Sequence, residues 1–240
     1  MPAHSRTFKT LRSRFYRWQE HAREPGLTAL LFIEGTLIFL VTPLSGMGVL
    51  PGFVLPAMFI LLVLATLLVT SRSHAAAGIV FVAVLLSPAG AFVHAEAPSV
   101  LTECLSAGGR LLAIAAVSVV IAHAVFGSGR VTLHRVQGAV VLYLNFALFF
   151  FTIYRFIEVL APDAFHGLPA SGAEHGSGAA LLYFSFSTLT TLGYGDITPV
   201  HPMARDIANL EAVIGQLFPA TLMARLVSLE LEHRRQSKTK

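Results

Sequence analysis

Charge is scarce in this chain of 240 residues: 12% are Asp, Glu, Lys or Arg, while 55% are hydrophobic. A soluble domain carries about 25% charged residues, so the composition excludes an ordinary solvated domain and implies a polytopic membrane protein. Cysteine is scarcer still. Cys104 stands alone, which rules out an intrachain disulfide; an inert free thiol is expected ahead of an intermolecular bridge. The ten histidines are scattered, with no H-E-x-x-H and no Cys/His ligand spacing, and no nucleophile stands beside a base. No metal site, no organic cofactor and no enzyme is therefore expected. Residues 1–25 are basic but lack a short apolar core ending in small residues, so the first apolar run is expected to remain as an anchor rather than be cleaved.

What is present is a series of apolar runs. They fall at 27–44, 53–70, 75–93, 111–126, 136–160 and 206–229, with a shorter run at 179–190. A helix needs about 20 apolar residues to cross a bilayer, with a range of about 17 to 25. Six runs meet that need if the fourth begins back at 107–110. The run at 179–190 is too short to cross. Turns are marked by Pro43, Gly46, Pro51 and Gly52, by 71–74, and by an acidic loop at 96–103 containing Pro98. The tight second turn predicts an antiparallel hairpin of spans two and three. Between the fifth and sixth spans, 161–178 reads as an exposed turret-like loop with Pro162 and Pro169.

Ahead of the first span, Phe8, Leu11, Phe15 and Trp18 fall on one helical face among Arg6, Lys9, Arg12, Arg14, Arg17 and Arg23. A basic helix with an aromatic stripe lies in a membrane interface; a disordered basic arm is the alternative. The net charge of +4 resides at the ends and in short loops. The membrane explains it better than nucleic acid does, so no nucleic-acid partner is expected. With the N-terminus in the cytoplasm, the inner segments hold Arg72, Arg130, Arg135, Arg234, Arg235, Lys238 and Lys240, and the outer loops hold Glu96, Glu103, Asp163 and Glu174. That is the positive-inside bias. It predicts a multi-pass cell-membrane protein with both termini cytoplasmic, and it puts the 179–199 segment on the outside.

That segment carries the chemistry. It reads SFSTLTTLGYGDITP from Ser185 to Pro199. Glycines at the alternate positions 193 and 195 allow the unusual φ/ψ values that turn successive backbone carbonyls to one side. A plain Gly-rich turn before a strand is the bland alternative. Non-helical backbone survives at membrane depth only where it is buried in protein or lines a watery cavity.

The centre, Thr190-Thr191-Leu192-Gly193-Tyr194-Gly195-Asp196, closely resembles the signature of the potassium-channel family, whose four loops replace the ion's hydration shell with backbone carbonyls. The resemblance covers about 136–229, a helix–loop–helix unit similar to the bacterial two-helix ion-channel domain. For the earlier spans it rests on count and topology. It implies an all-α membrane protein of six transmembrane helices, with a re-entrant pore helix and selectivity filter between the last two. It implies a homotetramer in lipid, with K⁺ as the permeant ion. Thr191, Leu192, Gly193, Tyr194 and Gly195 would form the filter, K⁺ being held by the backbone of Thr191, Leu192, Gly193 and Tyr194. Asp196 would sit at the outer mouth. Tyr183, Phe184, Ser187 and Thr190 would support the filter, Ser187 standing where some members carry a buried Glu. Leu192 departs from the more frequent Val. Gly215 and Pro219 would be the hinge of an inner gate; close packing at a small residue is the alternative for Gly215. At helical spacing Gly215, Pro219, Met223 and Val227 could share a pore-facing stripe.

A voltage sensor needs several Arg on the fourth span, each worth about 2.3 kcal/mol per 100 mV. The 111–126 run has no Arg or Lys, so strong voltage gating is not expected. Among residues within spans, Glu34 is expected to pair with His123 or to be protonated, and Arg155 with Glu158. The expected organisation is a cytoplasmic basic amphipathic segment (1–26), a four-helix transmembrane domain (27–130), a pore domain (131–229) and a short cytoplasmic tail (230–240). The expected function is passive K⁺-selective conduction. The alternatives are a poorly selective cation channel, or a non-conducting regulatory or transport subunit that keeps the pore fold.

Overall fold

The computed structural model describes residues 26–51, 54, 57–58, 61–62, 100–126, 133–169 and 174–238. Within these, three helices are long and apolar enough to cross a membrane: α1 (Gly26–Ser45), α3 (Leu133–Leu160) and α5, whose crossing part is Pro202–Arg225. Helix α2 (Val100–Phe126) precedes α3, and its most apolar stretch is Ala107–His123. Helix α4 (Glu174–Leu189) lies between α3 and α5 in sequence. The expected interfacial segment at 1–25 and nearly all of spans two and three lie outside the described residues, as does the 71–74 turn.

Helix α3 is the centre of the packing. Its buried residues occur on every side, from Gly138 through Asn145 to Ile157. One core joins Leu27, Leu30 and Leu37 of α1 with Val117, Ile121 and Val125 of α2 and with Ala139, Val141 and Leu142 of α3. Thr28 of α1 ties the starts of α1 and α3 together, its hydroxyl lying 2.7 Å from His134 Nδ1 and bonded to Gln137. A second core sets Phe150, Tyr154 and Ile157 of α3 against Leu181 and Phe184 of α4 and Ala204 of α5. A third brings Ile38 of α1 together with Ile114 of α2, Leu144 and Leu148 of α3 and Leu182 of α4. Phe39 of α1 also meets Phe186 of α4, with ring centroids 5.6 Å apart. In lipid these contacts stabilise through van der Waals packing and interhelical hydrogen bonds, because tails are as apolar as leucine.

Several boundaries depart from the sequence expectation. Helix α2 already includes Val100, so 100–103 of the expected acidic 96–103 loop are helical; the rest of that loop lies outside the described residues. Helix α4 begins at Glu174, five residues earlier than the apolar run did, because its first turn is polar. The 161–178 segment is not simply an exposed turret. Ala164 and Phe165 are 2% and 5% exposed, and the strand β1 (Phe165–His166) pairs antiparallel with β2 (Thr198–Pro199). Helix α5 runs unbroken from Pro202 to Lys238, through the expected end of the span at 229. At 1.5 Å per residue its 37 residues extend about 55 Å, well beyond a hydrocarbon core of about 30 Å.

The Glu34–His123 pairing does not form. His123 is exposed and its Nδ1 lies 2.9 Å from the Val119 carbonyl. Glu34 is fully buried, and among the described residues neither carboxylate oxygen has a hydrogen-bond partner. A π-helical turn, Leu37–Val41, follows it in α1. Arg155 and Glu158 do pair, at 2.9 Å, and Arg155 also reaches Ser177 of α4.

Candidate functional site

The site is built where α4 ends. Residues 190–196 leave the helix and are all exposed in the single chain. Thr190 N still donates to Phe186 O at 3.0 Å, and after it three amides fold back on α4: Thr191 N donates to Thr188 O at 2.9 Å, and Leu192 N and Gly193 N both donate to Ser187 O, at 2.8 and 3.2 Å. These bonds also satisfy carbonyls that a helix C-terminus leaves without intrahelical partners. Every peptide bond here is trans. In a trans peptide the C=O points opposite to its N–H. The carbonyls of Thr190, Thr191 and Leu192, which share planes with those three amides, therefore all point away from α4. An ordinary strand would alternate them.

The backbone angles show how this is achieved. φ is +58° at Thr191, +56° at Gly193 and +80° at Gly195, with Leu192 and Tyr194 between them on the ordinary side. Glycine takes such values freely. Threonine does not, and holding it there costs on the order of 1–3 kcal/mol, strain that concentrates at functional sites.

Three elements brace the segment. Tyr183 of α4 stacks on Tyr194, with centroids 6.1 Å apart and planes 11° apart. Asp196 Oδ1 accepts from Ile197 N at 3.0 Å. Phe184 points the other way, into the core against Tyr154 and Phe165. At the far end the chain leans on the loop after α3. Ala164 O accepts from Val200 N and His201 N, and a Cβ on Gly167 would meet Asp196 O at 2.0 Å. At the near end Gln216 Nε2 of α5 lies 3.3 Å from Thr191 Oγ1. Ser187 is buried, and Thr190 bonds its hydroxyl back to Phe186 O.

Gly215 of α5 lies against the last residue of α4. A Cβ there would stand 1.8 Å from Leu189 O, and the same carbonyl accepts the Tyr143 hydroxyl at 3.1 Å. Pro219, four residues on, is exposed and interior to the helix, where it cannot donate to the Gly215 carbonyl. In the single chain Gly215 is buried against α4 while Pro219 and Met223 are exposed. The side chain of Val227 lies outside the described residues.

Residues 138–231, the stretch from α3 through the loop to α5, match the family described as Ion channel. Protein LctB of Bacillus caldotenax is 35% identical over 94 residues, which cover 38% of this chain and 69% of that protein. The chain belongs to the ion-channel family. A second LctB protein, from Geobacillus stearothermophilus, is 36% identical over 89 residues, covering 35% of this chain and 64% of its own length. No solved structure matches the chain. The ion-channel match spans every element that shapes the 190–196 segment and leaves α1 and α2 outside it.

One residue of this ion channel escaped the sequence reading. Glu211 of α5 is fully buried; it accepts the Tyr154 hydroxyl at 2.6 Å and the Ser185 hydroxyl at 2.5 Å. The signal was available, because a carboxylate inside an apolar span is costly and marks a functional site by default. It is hidden by its neighbours, since the 206–229 run is assigned as a span by its length.

Proposed function

We propose that the chain is the subunit of a K⁺-selective channel, a homotetramer in the cell membrane in which four copies of Thr191–Gly195 line one filter, with both termini on the cytoplasmic side. The observation that carries this reading is the common direction of the Thr190, Thr191 and Leu192 carbonyls, set by the amide bonds to α4. An ion sheds its water only if several oxygens replace it at once, and rings of carbonyls from four chains supply them. Asp196 stands at the outer mouth and attracts cations. Conduction is passive, by dehydration at the rings and displacement between adjacent sites. Helix α5 supports the tetramer: its spanning part is only 17% buried in one chain, against 56% for α3, and Leu210, Val213 and Leu217 on it are exposed. Such a face fits a contact with copies of itself or a pore wall.

The test is K⁺ flux into liposomes bearing the full chain, with Ba²⁺ block, followed by reversal potentials between K⁺ and Na⁺. Selective, Ba²⁺-sensitive flux is expected. Gly193→Ala, which opposes the positive φ, and Tyr194→Ala, which removes the stacking on Tyr183, are each expected to abolish the flux or its selectivity. Unchanged K⁺ permeation in both variants would count decisively against the reading.

A further inference from the structure

We propose that Glu211 is a positioning residue for the filter, acting through Ser185 of α4. The inference rests on the K⁺-channel reading above and concerns how that filter is held. Tyr154, Ser185 and Glu211 are each 0% exposed, and they come from α3, α4 and α5 in turn. One oxygen of Glu211 takes the Tyr154 hydroxyl at 2.6 Å; the other meets the Ser185 hydroxyl at 2.5 Å. Ser185 also lies 2.8 Å from Ala147 O on α3. A single carboxyl group thus joins three helices at one buried point.

The link to the filter is short. Ser187, two residues after Ser185 on the same rigid helix, offers the carbonyl that holds the amides of Leu192 and Gly193. Any turn or slide of α4 moves that carbonyl, and with it the direction of the carbonyls at 191 and 192. Helix α5 grips α4 at two places one turn apart. Glu211 meets Ser185, and Gly215 meets Leu189. Residues at i and i+4 share a helix face, so both grips come from one face of α5 and fall on one face of α4. The Gly215 contact limits how near the helices come. The Glu211 bonds are directional, and they fix rotation and register, which apolar packing leaves less specified. The sequence places no carboxylate behind the filter at Ser187; the structure assigns that bracing to a carboxylate on the last helix.

The experiment uses the full chain in liposomes and reads the K⁺/Na⁺ permeability ratio, with K⁺ binding to the purified protein by calorimetry as a second readout. Glu211→Leu keeps the bulk and removes both bonds; it is expected to lower the ratio at least about tenfold. Glu211→Gln keeps the reach: its carbonyl accepts from Tyr154, and its amide donates to Ser185, whose own proton then goes to Ala147 O. It is expected to hold the ratio within about twofold of wild type. Ser185→Ala and Tyr154→Phe each remove one arm and are expected to fall between. A wild-type ratio in conducting Glu211→Leu channels overturns the proposal, as does a Gln variant as damaged as the Leu one. If Glu211→Leu does not assemble, Ser185→Ala carries the same test, and an unchanged ratio and unchanged K⁺ affinity there overturn it. A merely structural role would lower yield and leave the ratio of surviving channels unmoved. A wild-type chain that neither conducts nor binds K⁺ refutes the channel reading, and this inference falls with it.

Discussion

Replacing Gly215 by alanine separates two uses of a glycine that the sequence leaves side by side. A hinge needs backbone freedom; a packing site needs the absence of a Cβ. At Gly215 the new Cβ would stand 1.8 Å from Leu189 O, 2.7 Å from its carbon and 3.1 Å from its Cα. Real Cβ contacts essentially never fall under 3.0 Å, so α5 and the end of α4 must part by more than an ångström. The obstacle is backbone, which cannot rotate aside as a side chain can. Overpacking of this kind costs about 1–3 kcal/mol, and the upper end applies here. The same movement stretches the 3.1 Å bond from Tyr143 to Leu189 O, for about 1 kcal/mol more. Alanine recovers about 1 kcal/mol through its higher helix propensity. The net expectation is a loss of about 3 kcal/mol per subunit. Thermal unfolding of the purified protein in detergent, alongside K⁺ flux, reads it. The unfolding midpoint should drop and K⁺ selectivity should weaken, because the displaced residue directly precedes the 190–196 segment that holds the proposed filter. Gly108→Ala in α2 is the control: nothing lies within 4 Å of its Cβ, and it should stabilise by about 0.5–1 kcal/mol. A Gly215→Ala variant as stable as wild type, with altered opening alone, would refute the packing argument and favour the hinge.

Two further substitutions follow from the same kind of accounting. Gly167→Ala would put a Cβ 2.0 Å from Asp196 O at a residue with φ of +87°, so it should displace the Asp196 end of the proposed filter segment; reversal potentials between K⁺ and Na⁺ should show weaker selectivity, and an unchanged ratio would oppose the bracing assigned to the loop after α3. Glu34→Leu removes two buried oxygens that have no hydrogen-bond partner among the described residues, so relief of about 1–3 kcal/mol should raise the unfolding midpoint in detergent; a lower midpoint would mean that the carboxyl group contributes a favourable interaction.

The 190–196 segment shows what can be read from a chain and what cannot. Gly193 and Gly195 at alternate positions announced positive φ, and both have it. Thr191 at +58° was not announced, because threonine is a poor candidate for that region; the amide bonds to α4 and the Gln216 contact with its hydroxyl hold it there. The short run before the loop was legible as a helix too short to cross, though its polar first turn was lost to a criterion based on apolarity. Glu211 was invisible for a related reason. One carboxylate does not interrupt an apolar run assigned by length, and its partners Tyr154 and Ser185 lie 57 and 26 residues away in the chain. The expected Glu34–His123 contact failed on facing: both residues sit in helices, but His123 turns outward to its own helix backbone while Glu34 turns into the core.

By itself, then, the sequence determined the apolar helices among the described residues, their order and the positive φ at Gly193 and Gly195. These depend on local composition, on glycine's freedom and on the cost of charge in lipid, all of which act within a few residues. Only the tertiary structure decided which groups meet across helices: that Gly215 touches Leu189, that Gly167 backs Asp196, and that one carboxylate ties α3, α4 and α5 together. Those contacts depend on helix rotation and register. A shift of one residue turns a helix by about 100°, and hydrophobic patterning constrains that angle weakly when every face of the helix is apolar.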